Sequence, residues 1–226
     1  MVKWQRLPLY MKTPQVEEYY NILQKKRVSL LLKRIIDIVL SLILIAVLLI
    51  PMAVIAVVVK STSSGPVIFK QIRITTGARE FKIFKFRTMV DKQDKDSSQV
   101  TVNNDSRVTK CGGFLRKYRL DELPQLFNVL LGQMSFVGTR PEVPKYVKAY
   151  TPEMYATLLM PAGITSLASI TYKDENKFLT SGNADDNYIN ILLPKKMEFN
   201  LEYIKKFSVL LDIKIMIKTV IGVVRD

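Results

Sequence analysis

The stretch Ile38–Val59, "IVLSLILIAVLLIPMAVIAVVV", decides the architecture: of its 22 residues only Ser41 and Pro51 are not apolar. As a straight helix it would measure ~33 Å, about the thickness of a bilayer's hydrocarbon core, so the run belongs in a membrane. It begins too late for a cleavable signal, and no small-residue cleavage pattern follows it. Pro51 divides it into 13 residues before and 8 after. Those halves measure roughly 20 Å and 12 Å, and neither reaches the ~30 Å needed to cross alone. Basic residues flank both ends, Lys25, Lys26, Arg27, Lys33 and Arg34 before, Lys60, Lys70 and Arg73 after, whereas a spanning helix usually shows the excess on one side. The expectation is a helix over 28–60 that bends at Pro51 and re-enters, with both ends and the following domain on the cytoplasmic face of the membrane.

Upstream, residues 1–27 mix Trp4, Tyr10, Tyr19 and Tyr20 with Lys3, Arg6 and Lys12. That is the composition of a segment lying on a membrane surface, or of a basic tail. Downstream, "PVIFKQIRI" and "REFKIFKFRTM" are rich in β-branched and aromatic residues and are separated by the turn signal Thr76-Gly77-Ala78, which predicts a hairpin. Residues 91–106 are polar and read as a loop. From Leu120 the apolar residues Leu123, Leu126, Phe127, Leu130 and Leu131 recur at helical spacing until Gly132, with Pro124 in the first turn. Thr151–Leu159 predicts a further helix, Met160–Asn176 a loop leading into a strand, and 180–187 a polar loop. Leu193–Phe207 and the C-terminal 208–226 predict two more helices, the last amphipathic, interfacial or core in character. The whole reads as an α/β (α+β) fold: a small mixed catalytic domain at 61–206 with short strands, on a membrane helix, closed by an amphipathic helix at 207–226.

Thirty-four Lys and Arg against 20 Asp and Glu give a net charge of +14, which calls for an anionic partner: nucleic acid, phospholipid or a phosphorylated substrate. The chain has no histidine and one cysteine, Cys111. Ser-His and Cys-His catalysis, histidine-ligated zinc and an internal disulfide are therefore excluded. Chemistry must rest on carboxylates, Lys, Arg, hydroxyls or an oxygen-seeking metal.

The candidate is "KYRLDELPQLFNVLLG", Lys117–Gly132, where Asp121 stands beside Glu122 at the start of the apolar helix. An acidic pair there is ordinarily a cap and dipole partner. Its surroundings point further. In "FKIFKFR" strand alternation puts Lys85 and Arg87 on one face, Arg116 precedes the pair, and Arg140 follows it in "SFVGTRPEV". Two adjacent carboxylates with four cations suit Mg²⁺ and phosphate, since hard cations are held by one or two carboxylates plus phosphate oxygens. A carboxylate, with an ordinary pKa of about 3.9 for Asp, can attack phosphorus without a base, which answers the absence of histidine.

The segments "LLKRIIDIVLS", "GPVIFKQIRI", "FKIFKFRTM", "DSRVTKCGGFLRKYRLDELPQLFNVLLGQMSFVGTRPEV" and "NLEYIKKFSVLLDIKIMIKT", in that order over about residues 29–224, resemble the bacterial sugar transferases called monotopic phosphoglycosyl transferases. The resemblance implies a membrane enzyme that moves a sugar 1-phosphate from a UDP-sugar to polyprenyl (undecaprenyl) phosphate and releases UMP, beginning a surface glycan such as exopolysaccharide, capsule or O-antigen. Position by position it implies Asp121 as nucleophile, Glu122 as its partner in holding Mg²⁺, and Lys85, Arg87, Arg116 and Arg140 as phosphate-binding groups. It also implies a re-entrant helix broken at Pro51, the bacterial inner membrane as location, the bilayer as a partner, no nucleic acid, and allows for a homodimer. Departures from the family pattern are Ile50 where Ser often precedes the proline, Thr139 where Pro is common, and Met160–Ser166 in place of "RPGITG". The donor sugar is left unassigned. Two other readings fit parts of the sequence: a membrane-tethered basic binding protein, which accounts for charge and anchor but not for the acidic pair, and an inactive structural subunit of a glycan-assembly complex.

Overall fold

The computed structural model describes residues 1–90, 107–172 and 184–224. The loop read at 91–106 lies outside them, as do residues 180–183 of the polar loop. Residues 1–27 are folded onto the domain, one face buried in its core, and are not a loose tail. Helix α1 (Pro14–Gln24) starts with Thr13 as its cap, Oγ1 accepting from Val16 N at 3.3 Å, and Pro14 in its first turn. Its buried residues Val16, Tyr19, Tyr20 and Leu23 fall at i, i+3, i+4 and i+7. With Leu7 and Met11 they join the main core alongside Val137, Tyr146, Leu158 and Ile204. Of the aromatic groups that suggested a membrane surface, Tyr19 and Tyr20 lie on the buried face of α1, while Trp4 and Tyr10 precede the helix and Tyr10 is exposed; Tyr19 Oη donates to Glu153 Oε1 at 2.6 Å.

Helix α2 (Arg27–Thr62) contains the apolar run. Among the described residues it is the one helix long and apolar enough to cross a bilayer, and only 11% of its most apolar window is buried, so it is not a core helix. Pro51 removes the hydrogen bond that Val47 would accept, yet the helix continues through it; the expected break is a defect inside one helix. Lys33, Asp37 and Ser41, spaced by four, form a buried stripe against the domain. Lys33 Nζ donates to Asp212 Oδ2 at 2.6 Å and to the Val137 carbonyl at 2.8 Å. Asp37 Oδ1 accepts from Ser135 Oγ and Phe136 N at 3.0 and 3.1 Å. Arg34 donates to the carbonyls of Val129 and Leu130 at 2.6 and 2.8 Å. Beyond Pro51, Met52 and Val59 pack with Phe86 and Leu115. Both ends of the apolar run therefore rest on the same domain, while Leu42, Val47, Ile50, Val54 and Val57 point outward.

Strands β1 (Ile68–Thr75) and β2 (Arg79–Phe86) form the expected antiparallel hairpin, paired from Ile68 with Phe86 to Thr75 with Arg79. A short bridge between Met89 and Val108 leads to α3 (Lys110–Lys117), then α4 (Gln125–Leu130) ends where Gly132 takes a positive φ of 77°. β3 (Met134–Val137) pairs in parallel with β4 (Ala162–Thr165), and α5 (Pro144–Val147) lies between them in sequence. The helix expected near 151–159 is a 3₁₀ run, Met154–Leu159. The stretch read as loop and strand holds β4 followed by α6 (Leu167–Thr171), which Ser166 caps by accepting from Ser169 N at 2.9 Å. α7 (Ala184–Asn187) adds one helical turn to the polar loop. α8 (Leu193–Lys206) and α9 (Val209–Val224) match the last two expected helices. α9 buries Asp212 and Ile215 and exposes Leu210, Ile213, Ile217 and Val220.

The Lys33–Asp212 pair is buried on both sides, at 5% and 8% side-chain exposure, and Tyr203 Oη also donates to Asp212 at 2.7 Å. Removing one partner of a buried pair leaves an uncompensated charge. Lys33→Met should destabilise the protein by about 3–5 kcal/mol in urea unfolding in detergent, and Lys33→Met/Asp212→Asn should recover most of that loss.

Candidate active site

The acidic pair sits on a tight turn between two helices. α3 is capped by Thr109, whose Oγ1 accepts from Gly112 N at 2.9 Å, and it ends at Lys117. Arg119 then adopts a left-handed conformation, φ 54°, and Leu120–Glu122 form one 3₁₀ turn before Pro124 opens α4. Asp121 and Glu122 thus precede α4 by one turn instead of lying in its first. Both are buried, each 7% exposed.

Asn128 fixes this turn to the hairpin. Its side chain accepts from Phe84 N at 3.0 Å and donates to the Lys82 carbonyl at 2.9 Å, completing the open edge of β2, and it also donates to Gln133 Oε1 at 2.7 Å. Lys85, on that strand, reaches Glu122 Oε1 with Nζ at 2.7 Å. Arg140 arrives from the opposite side. After β3 the chain crosses β4 closely, with Gly138 N donating to the Thr165 carbonyl at 3.0 Å and Gly163 N to the Thr139 carbonyl at 2.9 Å. A Cβ on Gly163 would lie 2.2 Å from Gly138 N, so only glycine permits the crossing. Arg73 Nη1 then holds the Pro141 carbonyl at 2.9 Å, and Arg140 Nη2 donates to Glu122 Oε1 at 2.9 Å. Arg119 completes the set, 3.9 Å from Glu122 Oε2.

The two carboxylates are therefore unlike. Burial pushes Glu122 up, but Arg140, Lys85 and Arg119 overcome it and hold the carboxyl well below the usual glutamate range. Asp121 accepts no hydrogen bond among the described residues. Burial raises its pKa, Lys85 opposes the rise, the charge of Glu122 adds to it, and Arg116 and Arg140 oppose it further. Arg116 is held in place by Nε donating to Thr88 Oγ1 at 2.8 Å. Burial likewise lowers Lys85, with Glu122 the main opposing influence. The result is one locked carboxylate and one open carboxylate within a positive field, an arrangement suited to a nucleophile aimed at an anionic centre. Among the described residues no cluster of three or more metal-ligating side chains occurs. Two adjacent carboxylates, one of them open, are oxygen ligands of the kind a hard cation such as magnesium takes.

Of the four cations singled out in the sequence, Lys85, Arg116 and Arg140 converge on the pair and Arg87 does not. Strand geometry ends at Phe86, and Arg87 turns to the end of α2. There Nη2 donates to the Ser63 carbonyl at 2.7 Å, Nε to Ser63 Oγ at 3.2 Å, and Nη1 to the Pro66 carbonyl. A helix C-terminus offers unpaired carbonyls and a negative dipole end, which draw a buried guanidinium. Sequence reading missed Asn128, Arg119, Arg73 and Thr88. Asn128 alone carries a local signal, as an amide on the buried face of an apolar helix.

The asymmetry has an opposite signature for each residue. Glu122, with a depressed pKa, contributes stability that is present above the ordinary glutamate value and lost as pH falls below it; Glu122→Gln should cost about 3 kcal/mol at pH 7 and flatten the acid limb of the unfolding profile. Asp121, with a raised pKa, is a burden when ionised. Asp121→Asn should raise the melting temperature at pH 7, and the gain should vanish as pH falls below the ordinary aspartate value of about 3.9.

The sequence profile of the family described as "Bacterial sugar transferase" matches residues 28–226. Similar proteins include the UDP-glucose:undecaprenyl-phosphate glucose-1-phosphate transferase of Klebsiella pneumoniae, 38% identical over 197 residues, which cover 85% of this chain and 40% of that protein. The UDP-N-acetylgalactosamine-undecaprenyl-phosphate N-acetylgalactosaminephosphotransferase of Aeromonas hydrophila is 40% identical over 169 residues, 73% of this chain and 37% of that one. The "Uncharacterized sugar transferase EpsL" of Bacillus subtilis is 33% identical over 191 residues, covering 84% and 86%. The chain thus spans about 40% of the length of the first two and most of the third. With the match running from the start of α2 through the acidic turn to α9, this chain belongs to the bacterial sugar transferase family.

Proposed function

We propose that this chain transfers a sugar 1-phosphate from a UDP-sugar to polyprenyl (undecaprenyl) phosphate, giving a polyprenyl-diphosphate-sugar and UMP as the first membrane step of a surface glycan. The observation that carries the reading is Asp121: a buried carboxylate with no hydrogen-bond partner among the described residues, flanked by Lys85, Arg116 and Arg140. An Asp121 oxygen attacks the β-phosphorus of the donor. The bond from that phosphorus to the bridging oxygen breaks, and UMP leaves with the electron pair. A phosphate oxygen of the acceptor then attacks the same phosphorus, the acyl-phosphate bond breaks, and Asp121 returns as a carboxylate. Neither step needs a base, because both nucleophiles arrive as anions. Lys85, Arg116 and Arg140 spread the charge on the transferring phosphoryl group. Magnesium would be held by Asp121 and Glu122 and would neutralise charge on the donor diphosphate.

The names of the similar proteins support this substrate class but include both glucose and N-acetylgalactosamine donors, so the sugar is identified by assay. The contacts of both ends of α2 with one domain support a re-entrant helix, with the catalytic domain on the cytoplasmic face of the inner membrane, where nucleotide sugars are made.

With magnesium and a panel of UDP-sugars but no acceptor, the protein should release UMP up to the enzyme concentration and hold the sugar phosphate covalently. Asp121→Asn should do neither. Absence of labelled enzyme at every quench time, with turnover intact, would falsify the covalent route. Because only ionised Asp121 attacks and burial raises its pKa, the acid limb of kcat/KM should lie above pH 3.9, the ordinary aspartate value being about that.

Arg116→Ala and Arg140→Ala should each lower kcat/KM roughly 10- to 100-fold, the loss of about one or two charge-assisted hydrogen bonds. Arg87→Ala should instead lower the unfolding midpoint and leave the donor KM of the folded enzyme near its normal value. Equal kinetic losses at all three positions would reject this division of roles.

A further inference from the structure

A cavity of about 700 Å³ lies away from the acidic pair, between the N-terminal segment, the start of α2 and the turn of the β1–β2 hairpin. Arg79 on its wall stands six residues before Lys85 on β2, ~20 Å along the strand, so the two sites occupy opposite ends of the hairpin. Its volume is in the range of small-ligand sites. Lys3, Arg6, Lys33, Arg34 and Arg79 line it against a single carboxylate, Asp37.

Three of these charged groups are already engaged: Lys33 with Asp212, Asp37 with the start of β3, Arg34 with the last carbonyls of α4. Lys3, Arg6 and Arg79 are exposed and meet no carboxylate among the described residues; Arg79 gives only its Nε to the Thr76 carbonyl, at 3.1 Å. The N-terminal segment closes the cavity by packing on the hairpin turn, where a Cβ on Gly77 would lie 3.3 Å from Val2. Val2, Leu30, Leu159, Met160 and Pro161 supply an apolar wall.

The position names the ligand's source. Leu30, Lys33 and Arg34 line the cavity, while Leu31, Leu32 and Ile35 on the same turns of α2 are exposed, at the start of the helix's outward apolar surface. The cavity therefore lies at the level where α2 meets the headgroups, and uncommitted cations there attract anionic lipid. We infer that this cavity binds the phosphate headgroup of an anionic phospholipid: Lys3, Arg6 and Arg79 pair with the phosphate and the apolar wall takes the glycerol end of the acyl chains. It is separate from the transfer site and does not depend on the reaction assigned there. Bound lipid would tie the N-terminal segment, the hairpin turn and the base of α2 into one unit.

The test is native mass spectrometry of the full chain in detergent, titrated with phosphatidylglycerol or phosphatidylcholine. The wild type should retain one phosphatidylglycerol with a preference of about tenfold or more over phosphatidylcholine. Lys3→Gln/Arg6→Gln/Arg79→Gln should lose that preference. Lys82→Gln/Lys148→Gln/Lys214→Gln, which removes the same charge from exposed positions outside the cavity, should keep it, and excess inorganic phosphate should leave the lipid bound. Equal retention of the two lipids, or equal loss in both triple variants, overturns the site. Displacement by inorganic phosphate overturns the lipid and leaves a soluble-anion site.

Discussion

A buried carboxylate must be compensated, and Glu122 is compensated from three directions at once. Lys85 comes from β2, Arg140 from the segment after β3, and Arg119 from the turn itself. These residues lie 37, 18 and 3 positions from Glu122 in sequence. Burying the carboxylate without them would cost several kcal/mol. The hairpin, the acidic turn and the Gly138–Pro141 crossing are therefore held to one mutual geometry. Asn128 makes the same connection with neutral hydrogen bonds, tying α4 to the edge of β2.

That arrangement leaves its neighbour Asp121 with no hydrogen bond among the described residues, its oxygens still reached by solvent. Asp121 shares the burial and the positive field but not the hydrogen bonds, so the fold spends the cations on Glu122 and keeps Asp121 open. A carboxylate in this condition is destabilising as structure, the cost expected of a group kept for the proposed chemistry. The proximity of the two residues is what makes the difference sharp, because the charge of Glu122 adds to the burden on Asp121.

The membrane helix follows the same physics at its boundary. Lys33, Arg34 and Asp37 interrupt the apolar character at the start of α2, and each is met by a carbonyl, an amide or a carboxylate of the domain. At the other end Arg87 gathers the carbonyls that a helix terminus leaves open. These polar contacts fix the helix's rotation and height against the domain, while its outer apolar surface faces lipid. The proposed reaction between a soluble nucleotide sugar and a lipid-borne phosphate would need that fixed relation between bilayer and acidic turn.

The local part of this structure was legible in the sequence. The apolar run of α2, the hairpin around Gly77, the α4 stripe ending at Gly132, and the exclusion of histidine chemistry all follow from composition and from periods of 2 and 3.6 residues. Neighbouring residues and their spacing settle such features. Which elements meet was decided only in the tertiary structure. Strand alternation paired Lys85 with Arg87, yet the end of α2 claimed Arg87. Local composition does not say that the aromatic N-terminal segment also packs one face into the core, beside Tyr146, Leu158 and Ile204. Asp121 and Glu122 are adjacent, and nothing in the chain's local pattern says which is locked and which is open. That choice depends on where Lys85 and Arg140 arrive, a property of long-range packing that local spacing does not encode.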